Sequence, residues 1–187
     1  MTDTMTRNIV NDLDVDALTQ MVDEIAADPS RAPARFGVTT RWTGQTRTES
    51  KVHSIRLGGE KIERSFKIVA DEPEELLGTN TAPNPQELLL SALNACMTVG
   101  YVAGAAVRGI TLTHLEIEAT GELDLRGFLD LSDAIAPGYP VIDYVVRIAG
   151  NGTPEQFEEI HAGVMATSPN YDNIARAIRM NGRLELV

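Results

Sequence analysis

Hydrophobic positions repeat with helical spacing near the start of this chain and with a spacing of two directly afterwards. Residues 12–27 predict an amphipathic helix that is capped by Asn11 or Asp12 and stopped by Asp28-Pro29. Its apolar side consists of Val15, Leu18, Met21, Val22 and Ile25. We expect this helix to serve in packing or in contact with a second copy of the chain, and not in chemistry.

Alternating apolar and polar positions then predict an antiparallel meander of three strands. The strands are expected at about 34–42, 46–57 and 62–70, with glycine-containing turns between them. Residues 71–75, Asp-Glu-Pro-Glu-Glu, follow as an acidic run. Such runs are usually solvated loops, and we expect one here.

A run of twenty uncharged residues, 88–107, is the longest apolar segment of the sequence. Pro85 suits the first position of a helix, and Arg108-Gly109 suits its end. A helix that is apolar on every side must be buried on every side, so the pattern predicts the central helix of the fold. The run is long enough to cross a membrane. Its many alanines, its two glycines and the polar Asn94 favour a buried helix of a soluble protein instead.

The second half of the sequence predicts two strands, two helices and a closing strand. The strands are expected at 111–125 and 141–149, joined by the loop 127–140, which carries Phe128, Leu129 and Leu131. Thr153, Pro154 and Gln156 form the signature of a helix start, and this helix should end near Thr167. A short helix at 171–178 and a strand at 183–187 should follow. The order α-βββ-α-ββ-α-α-β is typical of an α+β domain with a segregated antiparallel sheet.

Length and charge narrow the possible functions. A chain of 187 residues suits one domain, in which we distinguish an N-terminal helical extension, 1–33, from the main domain, 34–187. The net charge of −11 and the absence of a basic stripe argue against nucleic acid and against anionic membrane surfaces as partners. The N-terminus has no signal-peptide pattern, and a single cysteine fits a reducing compartment, so we expect a cytoplasmic protein.

Candidate chemistry centres on Cys96, the only cysteine, in the middle of the predicted central helix. A lone cysteine excludes an internal disulfide and any Cys-x-x-Cys motif. His53, His114 and His161 are dispersed, so we expect neither a metal site nor a cofactor. A reactive thiol needs a cation or a helix N-terminus nearby. The alternative is that Cys96 is a small apolar residue in a packed helix.

The segment from Pro83 to Cys96, Pro-Asn-Pro-Gln-Glu-Leu-Leu-Leu-Ser-Ala-Leu-Asn-Ala-Cys, resembles a signature of the OsmC/Ohr superfamily, named for osmotically inducible protein C and organic hydroperoxide resistance. The resemblance continues in 121–129 and 168–172 and covers about 34–187. It implies an OsmC-like α+β fold of βββ-α-ββ-α-β order, preceded here by an extra N-terminal helix. It also implies an intertwined homodimer with the central helices in the middle, and thiol peroxidase activity on organic hydroperoxides.

The resemblance assigns roles to particular residues. Cys96 matches the peroxidatic cysteine that attacks the hydroperoxide. Glu87 matches the glutamate that helps to order the thiolate in some relatives, whereas others have it one residue earlier, at Gln86. Ser168 stands at the position of the resolving cysteine, so the internal disulfide cycle is impossible in this chain. The activating arginine is not fixed by the match, and the candidates are Arg41, Arg47, Arg56 and Arg64.

Two functional hypotheses follow from these observations. In the first, a homodimer reduces organic hydroperoxides through Cys96 and uses an external thiol as its resolver. In the second, an OsmC-like dimer without enzymatic activity binds a small apolar ligand in the cleft between its subunits. The second rests on the missing second cysteine and on the apolar loop 127–140.

Overall fold

A computed structural model describes residues 7–186, which fold as two compact units that divide between Ser91 and Ala92. Both units contain helices and small antiparallel sheets, so the predicted α+β class is confirmed. Residues 1–6, which hold most of the segment judged against a signal-peptide pattern, lie outside the described residues. The helices are α1 (Val15–Ala27), α2 (Pro85–Ala106), α3 (Leu125–Phe128), α4 (Pro154–Thr167) and α5 (Pro169–Ala175). The strands are β1 (Ile9–Val10), β2 (Leu13–Asp14), β3 (Ala34–Arg35), β4 (Val38–Gly44), β5 (Arg47–Val52), β6 (Ile55–Leu57), β7 (Glu60–Ile62), β8 (Lys67–Ala70), β9 (Leu112–Gly121) and β10 (Ile142–Gly150).

The predicted N-terminal helix is present, but it begins later than expected. Asn11 and Asp12 form the turn of the small β1–β2 hairpin, with φ angles of 52° and 61°, so neither can cap the helix. The cap is Asp14, whose carboxylate accepts a hydrogen bond from the Ala17 backbone N–H at 3.0 Å. The helix ends at Asp28, before Pro29, as predicted.

The predicted three-stranded meander consists of six shorter strands in two separate sheets, with the orders β4-β5-β8 and β3-β6-β7. The expected strand at 46–57 is interrupted at His53-Ser54, where the chain leaves one sheet and enters the other. The expected strand at 62–70 is interrupted in the same way between Ile62 and Lys67. Pairing of strands that are distant in sequence decides these breaks, and a local period of two carries no information about it.

Helix α2 starts and ends as predicted. Asn84 and Glu87 form a reciprocal capping box, in which each side chain accepts from the other's backbone N–H at 2.8 Å. Gly109 follows the helix in the left-handed conformation, with φ of 66°. The expectation of burial on every side is wrong for the single chain, because Val99 is 69% exposed while Met97 and Tyr101 are buried.

The second unit packs α2 residues and α4 against one face of the β9–β10 ladder. Gly100 and Gly104 allow the close approach of α4, because a Cβ atom at either position would lie 3.0–3.1 Å from Val164 or Ile160. The predicted start of α4 is confirmed, with Thr153 and Gln156 in a capping box. The core consists of Leu93, Met97, Tyr101, Ala105, Ile110, Ile160 and Val164.

The regions after β9 and after α4 differ from the prediction. Strand β9 ends at Gly121, and the short helix α3 includes the first two residues of the predicted loop 127–140. Helix α5 begins at Pro169, two residues earlier than expected. The predicted closing strand is wrong for residues 183–186, which form no strand, and Val187 lies outside the described residues. Leu184 and Leu186 are 85% and 91% exposed. An alternating pattern alone does not make a strand, because a strand also requires a hydrogen-bonded neighbour.

Candidate functional site

Cys96 lies in the middle of α2, half-buried, and its sulfur has one hydrogen-bonding neighbour among the described residues. The hydroxyl of Ser168 donates a hydrogen bond to Cys96 Sγ, with an Oγ–Sγ distance of 3.4 Å. The two residues are 72 positions apart in sequence. The structure therefore joins the predicted peroxidatic position to the predicted resolving position.

The position of Ser168 is fixed by the two helices that meet there. Its backbone N–H donates to Val164 O at 2.8 Å and closes α4, while its hydroxyl oxygen accepts from the Tyr171 backbone N–H at 3.4 Å and caps α5. The residue is only 5% exposed. A serine hydroxyl has a single proton. Because the oxygen already accepts from Tyr171, that proton is directed at the sulfur of Cys96.

Asn170 ties the same junction to α2 one turn earlier. Its Nδ2 donates to the backbone carbonyl of Ala92 at 2.8 Å. Asn94, on another side of α2, donates through Nδ2 to Ile117 O at 3.0 Å. Its Oδ1 is buried and has no hydrogen-bond partner among residues 7–186. These contacts fix the helix turns before and around Cys96 relative to α5 and β9.

Two tyrosines, the buried Tyr101 and the half-buried Tyr144, extend the polar contacts of this unit. The hydroxyl of Tyr101 is hydrogen-bonded to Nδ1 of His161, and the two rings stack. Burial, with a smaller effect of Tyr144, raises the pKa of Tyr101 to about 12. The hydroxyl of Tyr144 donates to the sulfur of Met165 at 2.8 Å, and burial also raises the pKa of Tyr144. Both phenols therefore stay protonated at neutral pH, and the sequence analysis did not single them out.

Glu87 lies in the first turn of α2, where its carboxylate is held in the capping box by the Asn84 backbone N–H. It lies nine positions before Cys96, which is about 2.5 turns of an α-helix. The two side chains therefore leave the helix on opposite sides. The contribution of Glu87 to thiol chemistry stays a prediction.

The four candidate arginines all belong to the first unit. Arg41 and Arg47 lie on the β4–β5 hairpin and Arg56 lies on β6, whereas Arg64 precedes β8. Arg64 stacks on Phe66, with its guanidinium carbon 4.7 Å from the ring centre. That one of the four acts on Cys96 stays a prediction.

Asp71 contradicts the expectation that residues 71–75 form a solvated loop, because its side chain is only 1% exposed. Its carboxylate accepts hydrogen bonds from three threonine hydroxyls and from three backbone N–H groups. The hydrogen bond from Thr79 contributes most to lowering the pKa of Asp71 well below its usual value. The donors are the hydroxyls of Thr46, Thr79 and Thr81 and the backbone groups of Glu72, Thr79 and Thr81.

Within residues 7–186, no three side chains of the types His, Cys, Asp and Glu come together as a group that could hold a metal ion. At Cys96 the structure brings together a thiol and the hydroxyl of Ser168. Such a pair can carry nucleophilic or redox chemistry of sulfur.

Comparison with known proteins decides which family these residues represent. The family model for the OsmC-like protein family matches residues 78–181, which include α2, Cys96 and Ser168. The chain belongs to the OsmC-like protein family. No curated protein matches this OsmC-like chain in sequence.

Solved structures agree with this assignment at the level of the fold. An OsmC-like protein from Mycoplasma pneumoniae is 18% identical, with a TM-score of 0.60 over 75% of this chain and 87% of its own. A Psychrobacter arcticus protein, named for osmotic stress induction and a detoxification response, is 16% identical, with a TM-score of 0.55 over 72% and 85%. An OsmC-like protein of unknown function from Vibrio cholerae is 15% identical, with a TM-score of 0.53 over 74% and 92%.

Helix α2 is the one helix of the described chain with the length and apolar composition to cross a membrane. OsmC-like proteins are soluble. Met97, Tyr101 and Ala105 pack into the core of the second unit, as expected of the core helix of a soluble protein. The preference for a buried helix over a membrane span agrees with the family assignment.

Proposed function

We propose that this OsmC-like protein reduces organic hydroperoxides through Cys96 and uses an external thiol to complete the cycle. The observation that carries the proposal is the hydrogen bond from Ser168 to Cys96 Sγ at 3.4 Å. It gives a half-buried sulfur a donor that stabilises negative charge on it, and a thiolate is the reactive form of cysteine. The name of the Psychrobacter arcticus relative, which refers to a detoxification response, is compatible with this activity.

The proposed reaction has three balanced steps. The Cys96 thiolate attacks one oxygen of the hydroperoxide, the O–O bond breaks, and the products are a sulfenic acid on Cys96 and an alkoxide that takes a proton to become an alcohol. An external thiol then condenses with the sulfenic acid and releases water, which leaves a mixed disulfide on Cys96. A second external thiol attacks that disulfide, restores the Cys96 thiol and leaves as the external disulfide.

Ser168 acts in this scheme as a positioning residue and not as a resolver. A hydroxyl forms no disulfide, so the sulfenic acid on Cys96 awaits a thiol from outside the chain. A cytoplasmic pool of small thiols would supply it, in keeping with the cytoplasmic location that we propose. We propose that one of Arg41, Arg47, Arg56 and Arg64 assists ionisation of Cys96 and that Glu87 helps to order the site.

We further propose that the protein is a homodimer. Within the single chain, one side of α2 is exposed although the helix is almost entirely apolar: Leu89 is 40% and Val99 is 69% exposed. Contiguous exposed apolar surface commonly marks an interface between protein molecules.

Analytical ultracentrifugation of the wild type should give twice the chain mass. Val99→Asp should shift the population to monomer, whereas Met180→Asp, at an 87% exposed position, should not. A wild type that sediments as a monomer at micromolar concentration would contradict the dimer.

The peroxidase proposal is tested by direct turnover. Purified protein is mixed with cumene hydroperoxide and dithiothreitol, and hydroperoxide loss is followed against Cys96→Ser. We expect thiol-dependent consumption by the wild type only. In the absence of dithiothreitol, one equivalent of hydroperoxide should add one oxygen atom to the chain, trapped on Cys96 by dimedone and located by mass spectrometry.

Dihydrolipoamide and glutathione serve as further donors in the same assay, because a mismatched thiol would otherwise hide the activity. If the wild type consumes no more hydroperoxide than Cys96→Ser with any of the three donors, and dimedone labels no residue, the proposal is wrong. Labelling without turnover would keep the first step of the scheme and reject these donors as resolvers.

A second candidate function, binding of a small apolar ligand in the cleft between the subunits, is favoured by the apolar loop 127–140. Phe128 and Leu131, at and beyond the end of α3, are 67% and 69% exposed. Exposed aromatic and aliphatic side chains are costly unless they serve a contact. A fluorescence titration with 1-anilinonaphthalene-8-sulfonate should detect saturable binding that Phe128→Ser weakens. Leu184→Ser, at an 85% exposed position, is the matched control. Equal effects of the two substitutions would reject a site at this loop.

A further inference from the structure

A polar cavity of about 530 Å³ opens on the first unit, and neither Cys96 nor Ser168 is among the residues that line it. Its floor is the face of the β4–β5 pair that carries Thr39, Arg41, Glu49 and Lys51, and the segment at Glu63 and Arg64 also lines it. Its volume is in the range of sites for small molecules.

The two carboxylates of the cavity are already neutralised by lysines that do not line it. Glu49 is paired with Lys67 at 2.9 Å. Glu63 is paired with Lys61 at 2.5 Å and also accepts from the hydroxyl of Ser54. The lysine and the hydroxyl lower the pKa of Glu63, which is therefore ionised at neutral pH.

Three cations remain in the cavity wall. Arg41, Lys51 and Arg64 have no ion-pair partner in the part of the chain that the structure describes. Because the neighbouring carboxylates are paired elsewhere, these three positive charges are in excess inside the cavity. The chain as a whole has a net charge of −11, so this excess is a local departure from the average.

The register of the sheet adds a second observation. Lys51 lies directly opposite Lys67 on the neighbouring strand β8, so the two ammonium groups lie on the same face. Like charges directly opposite each other destabilise a sheet. Lys67 is compensated by Glu49, whereas Lys51 is not. An anion held by Lys51 would relieve this repulsion.

The guanidinium groups suit a planar or tetrahedral oxyanion. Arg64 is held over the ring of Phe66, at 4.7 Å from its centre, which limits the freedom that binding would otherwise remove. Arg41 lies across from Glu49 on the floor of the cavity. Arginine forks bind phosphate and carboxylate groups with two parallel hydrogen bonds, and a lysine adds a point charge.

We propose that this cavity binds a small organic anion with two or more negative charges, through phosphate or carboxylate oxygens held by Arg41, Lys51 and Arg64. The polar floor suits a ligand that is charged and hydroxylated, and not the apolar hydroperoxide proposed for Cys96. The site would make the protein responsive to the concentration of an anionic metabolite.

The test uses pyrophosphate and citrate as two separate probes, measured by isothermal titration calorimetry on the full chain at low salt. We expect a dissociation constant below about 1 mM for at least one probe. Pyrophosphate should bind more tightly if the natural ligand carries phosphate groups, and citrate should bind more tightly if it carries carboxylates. Raising the salt to about 0.3 M should weaken binding severalfold. Cys96→Ser should bind as the wild type does, which separates this test from that of the peroxidase.

The substitutions Lys51→Gln and Arg41→Gln should each weaken binding about tenfold, because each removes one charge-assisted contact. Arg56→Gln removes the same charge from β6, outside the cavity lining, and should change binding less than about twofold. Circular dichroism checks that each variant is folded. If neither probe binds at concentrations up to about 10 mM, or if Arg56→Gln weakens binding as much as Lys51→Gln does, the proposed site is wrong.

Discussion

The hydroxyl of Ser168 donates to the sulfur of Cys96 across 3.4 Å, although the two residues are 72 positions apart. The same hydroxyl oxygen accepts from the Tyr171 backbone and thereby begins α5. One side chain thus caps a helix and contacts the thiol. The serine at the resolving position therefore contacts Cys96 directly, and its effect on the thiol can be measured.

Ser168→Ala should slow the reaction of Cys96 with cumene hydroperoxide by about three- to tenfold, because one intramolecular hydrogen bond contributes roughly 1 kcal/mol. Loss of the α5 cap should also reduce the free energy of unfolding by about 1 kcal/mol. Stopped-flow kinetics with dimedone trapping gives the rate, and urea titration gives the stability. Thr153→Ala removes the cap of α4 without touching Cys96, so it should lower stability alone. Equal oxidation rates in Ser168→Ala and the wild type would show that the hydroxyl does not act on the sulfur.

Ser168→Cys should convert the single-cysteine cycle into an internal one. The new sulfur would lie close to Cys96 Sγ, since the present oxygen is 3.4 Å away. A disulfide needs a sulfur–sulfur distance of about 2.05 Å, so a shift of about 1 Å or slightly more is required. One equivalent of hydroperoxide should then reduce the chain mass by about two hydrogen atoms, where the wild type gains an oxygen. An intramolecular disulfide should make the monomer run faster on a non-reducing gel. Disulfide-linked dimers in its place would mean that residues 96 and 168 cannot form a disulfide within one chain.

Asp71→Asn should lower the thermal midpoint of the protein and remove part of its acid sensitivity. Hydrogen bonds lower the pKa of the folded Asp71 carboxyl, so below the unfolded value of about 4 the unfolded state binds more protons. The stabilisation by Asp71 is therefore complete above that pH and is lost as the pH falls below it. Thermal melts at pH 7 and at pH 3.5 should differ less in Asp71→Asn than in the wild type. Asp23→Asn, an exposed substitution with the same charge change, should leave that difference unaltered.

Two glycines on facing helices should respond in opposite directions. Gly104→Val should destabilise the protein by about 1–3 kcal/mol, because even a Cβ atom there would lie 3.1 Å from Ile160 and the branched side chain overfills the contact. Gly163→Ala, on α4, should stabilise it by about 0.5–1 kcal/mol, because a Cβ atom there meets nothing within 4 Å and alanine favours helix. Urea denaturation of both variants measures the difference. Stabilisation by Gly104→Val would mean that α2 and α4 are not in close contact at this point.

Local chemistry made the helix boundaries predictable from sequence. Pro85 opens α2, Gly109 follows its end, and Thr153 with Gln156 starts α4, because each signal acts within one turn of the residues it affects. The start of α1 was missed, since Asn11 and Asp12 have side chains suited to a cap but are used in a hairpin turn. Composition alone does not distinguish the two uses.

Long-range pairing could not be predicted in the same way. The break at His53-Ser54 and the missing strand at 183–186 depend on which neighbours a strand finds, and alternation of residues does not specify them. The sequence places Asp71 in an acidic run, and only the structure shows that Thr46 and the 79–81 segment surround its carboxylate. Family resemblance indicates the pair of Cys96 and Ser168, whereas only the structure shows that Ser168 donates the hydrogen bond between them.

The carbonyl of Ala92 accepts from the Asn170 side chain at 2.8 Å, and in an α-helix the same carbonyl accepts from the backbone N–H of Cys96. Asn170 thus contacts the carbonyl that pairs with the Cys96 backbone N–H, and Ser168 contacts the Cys96 sulfur. Opening of this helix turn must break contacts from both residues, so the Cys96 amide should exchange with deuterium more slowly than amides near the exposed end of α2. The Cys96 sulfur would then change its oxidation state without local unfolding. The reaction rate would be set by the chemical steps and by the access of the external thiol to Cys96.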